Sequence, residues 1–232
     1  MREELTIIQS ETADKGIGET LQYLCGRYPE GVVFSTSFGQ EDQVITHLIF
    51  AQGAAVAVFT LDTGRLFQET YDVIDRTLAR YGKPIQVYYP DTRQVEALVA
   101  DQGMNGFYLS VENRKSCCEV RKIEPLKRAL AGKKVWITGL RAGQSENRSS
   151  MPAFEYDERF GLIKYNPLID WSLDEVEAYL EKYNVPQNAL HKKGFVSIGC
   201  APCTRAIQPG EDIRAGRWWW EQSHKECGLH AK

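Results

Sequence analysis

The sequence predicts an α/β fold, a mostly parallel sheet with helices on both faces, followed by a functional C-terminal tail. Three observations predict it. Short apolar runs alternate with stretches of helical apolar spacing, the pattern of βαβ units. The turns after three of these runs are polar and rich in hydroxyl, Gly or Arg residues, and in such sheets ligands sit at the carboxyl ends of the strands. From about residue 186 the alternation stops and Pro and Gly become dense, which leaves little room for an independent core.

The elements follow in order. VVFS at 32–35 is the first strand, and the spacing over 41–50 predicts a helix. The apolar run at 54–60 is the second strand, bounded by Gly53 and by Asp62-Thr63-Gly64. A helix over 67–81 is stopped by Gly82 and Pro84. Residues 85–89 form the third strand and 95–100 lie in a third helical stretch. After a looser region come a helix over 120–131 and a fourth strand over 133–140. Ser172 and Glu175 have capping-box spacing and open a helix of about 11 residues. The turns STSFGQED, LDTGR and GLRAGQS follow the first, second and fourth strands.

Composition narrows the classes. With 232 residues, 43% hydrophobic and 25% charged, the chain is an ordinary globular protein rather than a disordered or fibrous one. A net charge of −3 excludes polyanion binding by bulk charge, so any anion site needs local clustering. No apolar run approaches the roughly 20 residues that span a bilayer, and the charged N-terminus lacks a signal-peptide pattern. The expectation is a cytoplasmic protein with no membrane and no nucleic-acid partner. Its six cysteines then point to metal or redox chemistry rather than to disulfides.

Cys117-Cys118 and the CxxC of Cys200 and Cys203 suggest one four-thiolate site. Zinc and a [4Fe–4S] cluster both accept four thiolates, but adjacent ligand cysteines are unusual for zinc, so the spacing favours the cluster and leaves zinc open. Cys25, in an apolar helical stretch, reads as core. Cys227 lies in KECGLH near the C-terminus, where neighbouring Lys225 and His230 can lower a thiol pKa and make a nucleophile.

Ser35, Ser37 and Gly39, between a strand and a helix, form a phosphate-type turn, although by pattern alone a turn capped by Ser37 explains them as well. Cations gather near the thiols: Arg114, Lys115, Arg121 and Lys122 flank the first pair, and Arg205, Arg214 and Arg217 follow the second. Arg141 ends the fourth strand. An acidic protein arranged in this way handles a small, multiply anionic substrate. Lys127, Arg128, Lys133 and Lys134 read as solvated surface charge. Trp218-Trp219-Trp220 reads as packing of the tail rather than as a base-stacking platform.

CCxxRK at 117–122, CAPCTR at 200–205 and KECGLH at 225–230 together resemble the iron–sulfur adenylyl-sulfate reductases of assimilatory sulfate reduction. STSFGQED is similar to their modified pyrophosphatase-type (PP-loop) turn, and LDTG, GLRAGQS and YNPLIDW are similar to further blocks of that family. The resemblance runs from about Gly31 to His230. It implies an adenine nucleotide alpha hydrolase-like fold, with an N-terminal helical segment at 1–30, a nucleotide-binding α/β domain at 31–185 and a cluster-completing, catalytic tail at 186–232. It implies that Cys117, Cys118, Cys200 and Cys203 hold one [4Fe–4S] cluster per chain and that Cys227 is the nucleophile. Ser35, Ser37 and Gly39 then cradle phosphate, and Leu61, Asp62 and Arg141 belong to the adenosine pocket. Lys122, Arg214, Arg217 and His230 surround the sulfate. The implied reaction converts adenosine 5′-phosphosulfate to sulfite and AMP through an S-sulfocysteine on Cys227, with thioredoxin or a glutaredoxin-like protein as reductant and a possible homo-oligomer. Reduction of the 3′-phosphorylated substrate, or of both, is the near alternative. An ATP pyrophosphatase of the same fold is the alternative from another class, disfavoured because Phe38 and Glu41-Asp42 replace positions of an SGGxDS turn. On a regular α-helix Lys122, four residues after Cys118, faces the same side.

Overall fold

A computed structural model describes residues 2–144 and 148–221. The described chain divides into two compact units. The first comprises residues 1–60, 70–86 and 130–188, and the second comprises 61–69, 87–129 and 189–232.

The strands are β1 (Val32–Ser35), β2 (Ala57–Leu61), β3 (Gln86–Tyr88), β4 (Val135–Ile137), β5 (Phe154–Asp157) and β6 (Leu162–Tyr165). They form one sheet in the order β3-β2-β1-β4-β6-β5. β1 pairs in parallel with β2 and β4, and β4 pairs in parallel with β6. β5 is antiparallel to β6, in register Phe154↔Tyr165. The mostly parallel α/β architecture is therefore as expected. The β5–β6 hairpin was not anticipated: its strands, FEYD and LIKY, mix charged with apolar residues and lack the continuous apolar run that marks β1 and β2.

Chain order runs outward from β1 through β2 to β3 on one side and then returns to β4 on the other. The carboxyl ends of β1 and β4 are thus the switch point, where such sheets leave a ligand crevice. The turn after β1 carries Ser35, Ser37 and Gly39, and that after β4 carries Gly139 and Arg141.

The helices of the first unit are α1 (Arg2–Thr12), α2 (Ile17–Arg27), α3 (Gln40–Gln52), α4 (Gln68–Tyr81) and α8 (Leu173–Lys182), with the first two residues of α4 counted in the second unit. The core gathers Leu21 and Leu24 of α2, Val44, Ile45 and Ile49 of α3, Val176 and Leu180 of α8, and Val32, Phe34, Val135, Ile137 and Ile163 from the strands. Spacings of three and four residues put these side chains on one helix face. Cys25 belongs to the same core, as expected. Gly53, with φ of 66°, closes α3 in the left-handed conformation that lacks a Cβ penalty. Gly18 and Gly139 need no side chain for a different reason: their neighbours occupy the space a Cβ would take.

The second unit contains α5 (Thr92–Gln102), α6 (Val111–Cys118) and most of α7 (Glu124–Leu130). Asp91 caps α5 through Gln94 N–H and Ser110 caps α6 through Asn113 N–H, each at 3.0 Å. Its remaining chain is mostly turns, organised around Phe107, Cys200, Cys203 and Trp218. Among the described residues no helix is long and apolar enough to cross a membrane.

The Ser172–Glu175 capping box is present: Ser172 Oγ accepts from Glu175 N at 3.2 Å, and Ser172 N donates to Glu175 Oε2 at 2.7 Å. Ser172→Ala is expected to lower stability by about 1 kcal/mol, read as a fall in Tm of about 2–4 °C in a thermal melt.

Candidate active site

In the second unit the two cysteine pairs meet. Cys117 and Cys118 end α6, and Cys200 and Cys203 bracket a 3₁₀ turn (Ala201–Cys203) whose first bond runs from Cys203 N–H to Cys200 O at 2.9 Å. All four line one pocket, together with Arg65, Phe107, Arg114, Arg121, Lys122, Pro202 and Trp218. All four are thiols rather than disulfides. Four sulfur donors in one pocket are the ligand chemistry of a structural zinc or of an iron–sulfur core.

The helix after the first pair departs from expectation. Residues Glu119–Ile123 form a π-helical turn between α6 and α7. A π turn widens the helical repeat, so regular α-helical spacing does not by itself place Lys122 beside Cys118. Its outcome is the expected one by another route: Lys122 and Arg121 both line the thiol pocket.

The second pair is fixed by its return strand. Thr204 and Arg217 form an isolated antiparallel bridge, and Trp218 N–H donates to Cys203 O at 3.2 Å. Arg205, inside this loop, makes a two-pronged ion pair with Glu211 at 2.8 and 2.9 Å. Arg217 is 6% exposed, and its guanidinium fills the space a Cβ on Gly199 would need, 2.4 to 2.6 Å away. Gly199 is therefore fixed by close approach. Arg114 and Arg217 lie over the Trp218 ring, 4.6 and 4.8 Å from its centroid.

These cations decide the thiol electrostatics. Burial pushes the Cys200 thiol up, but the Lys122 ammonium, a hydrogen bond with Thr63 and the guanidiniums of Arg217 and Arg121 together bring it below its ordinary value. Cys203 is pushed up to about 12 by burial and by the nearby Cys200. Burial also raises Cys117, and Arg121 opposes it. The thiols are thus close enough to resist ionising together without further positive charge.

Two residues of this environment escaped the sequence reading although their turn, LDTGR, was singled out. Thr63 Oγ1 lies 3.3 Å from Cys200 Sγ, and Arg121 donates to Thr63 O at 2.7 Å. Arg65 lines the pocket and accepts Ala201 N–H on its carbonyl at 2.8 Å. Leu61 and Asp62 precede them: Leu61 is half-buried, Asp62 is buried, and Asp62 Oδ1 accepts Gly64 N–H at 2.8 Å. Arg214 is half-buried and takes no part in lining the pocket. Cys227 and His230 lie outside the described residues. Trp218 is 1% exposed and Trp220 packs edge-to-face with Tyr108 at 4.4 Å between ring centroids, as packing predicts, whereas Trp219 is 40% exposed.

The first unit holds the anion turn. Ser35 Oγ accepts the Trp136 indole N–H at 2.8 Å. Ser37 is exposed, and its N–H and hydroxyl both donate to Asp42 Oδ2, at 2.5 and 2.6 Å. Phe38 sits buried in the left-handed region with φ of 60°, an unusual conformation for a non-glycine residue and one met at ligand sites. Gly39 is the N-cap of α3 and leaves the first N–H groups of that helix at the turn. Arg141 is buried, and its Nε donates to Glu41 Oε1 at 2.8 Å. Burial pushes Asp42 up to about 6, outweighing the two Ser37 hydrogen bonds, and Glu41 adds to the rise.

Two predictions follow from these charges. Glu221, 3% exposed, holds Arg114, 6% exposed, through bonds of 2.7 and 3.0 Å. Glu221→Ala leaves a buried guanidinium without this partner and is expected to cost about 3–5 kcal/mol in chemical denaturation. Asp42 has a native pKa above its unfolded one, so its contribution to stability is present below about pH 4 and is lost as pH rises through about 6. Asp42→Asn should therefore gain on the parent by about 3 kcal/mol between pH 4 and pH 7 in denaturation curves.

Comparison with known proteins gives the family. A profile described as the phosphoadenosine phosphosulfate reductase domain matches residues 31–206. The chain is 52% identical over 206 residues to the adenosine 5′-phosphosulfate reductase of Burkholderia cepacia, covering 88% of this chain and 82% of that protein. It is 55% identical over 199 residues to the enzyme of the same name from Rhizobium meliloti strain 1021, covering 85% and 75%. Among solved structures, phosphoadenylyl-sulfate (PAPS) reductase from Candida auris, in a phosphate complex, superposes with a TM-score of 0.74 at 27% identity, covering 89% of this chain and 98% of that one. The FMN adenylyltransferase of Candida glabrata, at 14% identity and a TM-score of 0.54, covers 96% and 73% and shares the fold alone. The chain belongs to the phosphoadenosine phosphosulfate reductase family.

Proposed function

We propose that this chain reduces adenosine 5′-phosphosulfate to sulfite and AMP, as an iron–sulfur member of its family serving sulfate assimilation. The observation that carries the reading is the convergence of Cys117, Cys118, Cys200 and Cys203 on one pocket edged by Arg65, Arg121 and Lys122. Names shared by relatives more than half identical to it support the substrate without a 3′-phosphate.

The residues fit a [4Fe–4S] group. Its four thiolates would come from the end of α6 and from the 200–203 turn. Two of the four donors are adjacent in sequence, which is unusual for zinc ligands. A cubane, with a separate iron for each thiolate, would accommodate them. When bound, the group supplies an inorganic core that joins two distant chain segments and adds charge to the pocket.

The chain's own residues do the rest. The Ser35 hydroxyl and the helix N–H groups that begin after Gly39 hold the nucleotide phosphate, and Ser37, whose N–H and hydroxyl both donate to Asp42, shapes that turn. Arg141, oriented by Glu41, serves the adenosine side with Leu61 and Asp62. Lys122, Arg214, Arg217 and His230 neutralise the sulfonyl oxygens, which otherwise shield sulfur from an anionic nucleophile. The Cys227 thiolate attacks that sulfur. A sulfur–sulfur bond forms, the sulfur–oxygen bond breaks, and AMP leaves with the electron pair. A thiolate of thioredoxin or a glutaredoxin-like dithiol then attacks Cys227 Sγ and expels sulfite. The second thiol of the reductant releases Cys227 as the reductant becomes a disulfide. Sulfur falls from the +6 to the +4 state, and the dithiol supplies both electrons. Cytoplasmic location suits a dithiol reductant.

Mass spectrometry after mixing anaerobic protein with adenosine 5′-phosphosulfate tests this. The expected product is one sulfonate on the peptide containing Cys227, released by a dithiol, with AMP formed in equal amount. Cys227→Ser should abolish sulfite production. Sulfite formation by that variant would overturn the assignment of the nucleophile. Faster turnover of the 3′-phosphorylated nucleotide would overturn the assignment of the substrate.

A further inference from the structure

The anion turn contains a buried carboxylate that the proposed chemistry does not use. Asp42, in the first turn of α3, accepts both the N–H and the hydroxyl of Ser37 on a single oxygen, at 2.5 and 2.6 Å. Its other oxygen lies 2.1 Å from where a Cβ on Gly139 would be, so the turn after β4 closes on it without room for a side chain. Glu41 next to it is answered by Arg141 at 2.8 Å. Among the described residues no cation pairs with Asp42. A fixed acidic group thus takes both donors of Ser37, at the turn where the proposed reading sets the phosphate.

The substrate and the product put charge on that phosphate differently. In adenosine 5′-phosphosulfate the phosphate is bridged to the sulfonyl group and carries one negative charge, and the second charge resides on the sulfonyl oxygens. Once the sulfonyl has left, the AMP phosphate is a monoester, which carries close to two charges at neutral pH because its second pKa is about 6. The total is unchanged, but it is now concentrated at the turn. A carboxylate bonded to that turn repels a dianion there more than a monoanion, and burial leaves the repulsion poorly screened.

We propose that Asp42 is a positioning residue that sets the charge preference of the anion turn, fixing Ser37 through both of its donors while disfavouring a dianionic phosphate, so that AMP is released after sulfonyl transfer. This rests on the adenylyl-sulfate reading above. It also gives the acidic residue at this position a purpose: the turn accepts a phosphodiester-like group and rejects a free phosphate monoester.

The test compares two unreactive ligands by calorimetry on the full-length protein at about pH 7.5: AMP, a dianion there, and its 5′-methyl phosphate ester, a monoanion. The parent is expected to bind the ester more tightly than AMP. Asp42→Asn is expected to shift the ratio of the two affinities about tenfold toward AMP. Asp42→Ser, smaller and also neutral, should shift it in the same direction and provides the answer if the asparagine variant does not fold. A ratio equal to the parent's in the folded variants, including equal loss of both ligands, would show that Asp42 only shapes the turn and would overturn the proposal. A parent that prefers AMP would overturn it as well. A parent that binds neither ligand would instead overturn the adenylate reading on which the proposal depends.

Discussion

The constraint on which the site depends is the gathering of four sulfur donors, two buried and two half-buried, among cations. Thiolates desolvated together repel one another, and the pocket shows that conflict: Cys203 is held up to about 12 while Cys200 is drawn below its ordinary value. Arg121, Lys122 and Arg217 supply part of the missing positive charge, and a metal core supplies the rest in the proposed reading. Chain geometry serves that balance. The π turn after Cys118 brings Arg121 and Lys122 to the pocket together, and the absence of a side chain at Gly199 lets Arg217 stay buried.

In the proposed reading the first unit solves the opposite problem, a site for an anion in an acidic protein. It does so with strand order rather than with net charge. The switch between β1 and β4 brings the start of α3 and the turn after β4 to one edge. There Glu41 fixes Arg141, and Asp42 fixes Ser37. The two adjacent carboxylates therefore differ in role. One is neutralised by a guanidinium, and the other is kept buried against hydroxyl and N–H donors.

Much of this was legible in the sequence, for identifiable reasons. Period and length marked β1, β2, α3 and α4. The turns after the strands marked Ser37, Gly39 and Arg141, and the cysteine spacing marked four residues that share a pocket. What was missed lacked a local signal. β5 and β6 are short and owe their existence to pairing with each other and with β4. The π turn replaces a regular helix just ahead of Pro125, which cannot donate to the helical ladder, but a proline alone does not say which kind of irregularity precedes it. Thr63, Glu41, Asp42 and Glu221 act through partners distant in sequence or through burial, which spacing does not encode. Arg114 was noted as a neighbour of the cysteines, but its ion pair joins residues 107 positions apart.

The central claim is that these four thiols jointly hold one polynuclear iron–sulfur core. Mössbauer spectroscopy of anaerobically purified protein, with iron and sulfide assays, tests it most directly. The account predicts the signature of a single [4Fe–4S] centre with about four irons and four sulfides per chain, lost in Cys117→Ser and in Cys200→Ser alike. Protein that contains one zinc and no sulfide, or that keeps its full iron signal after either substitution, would contradict it.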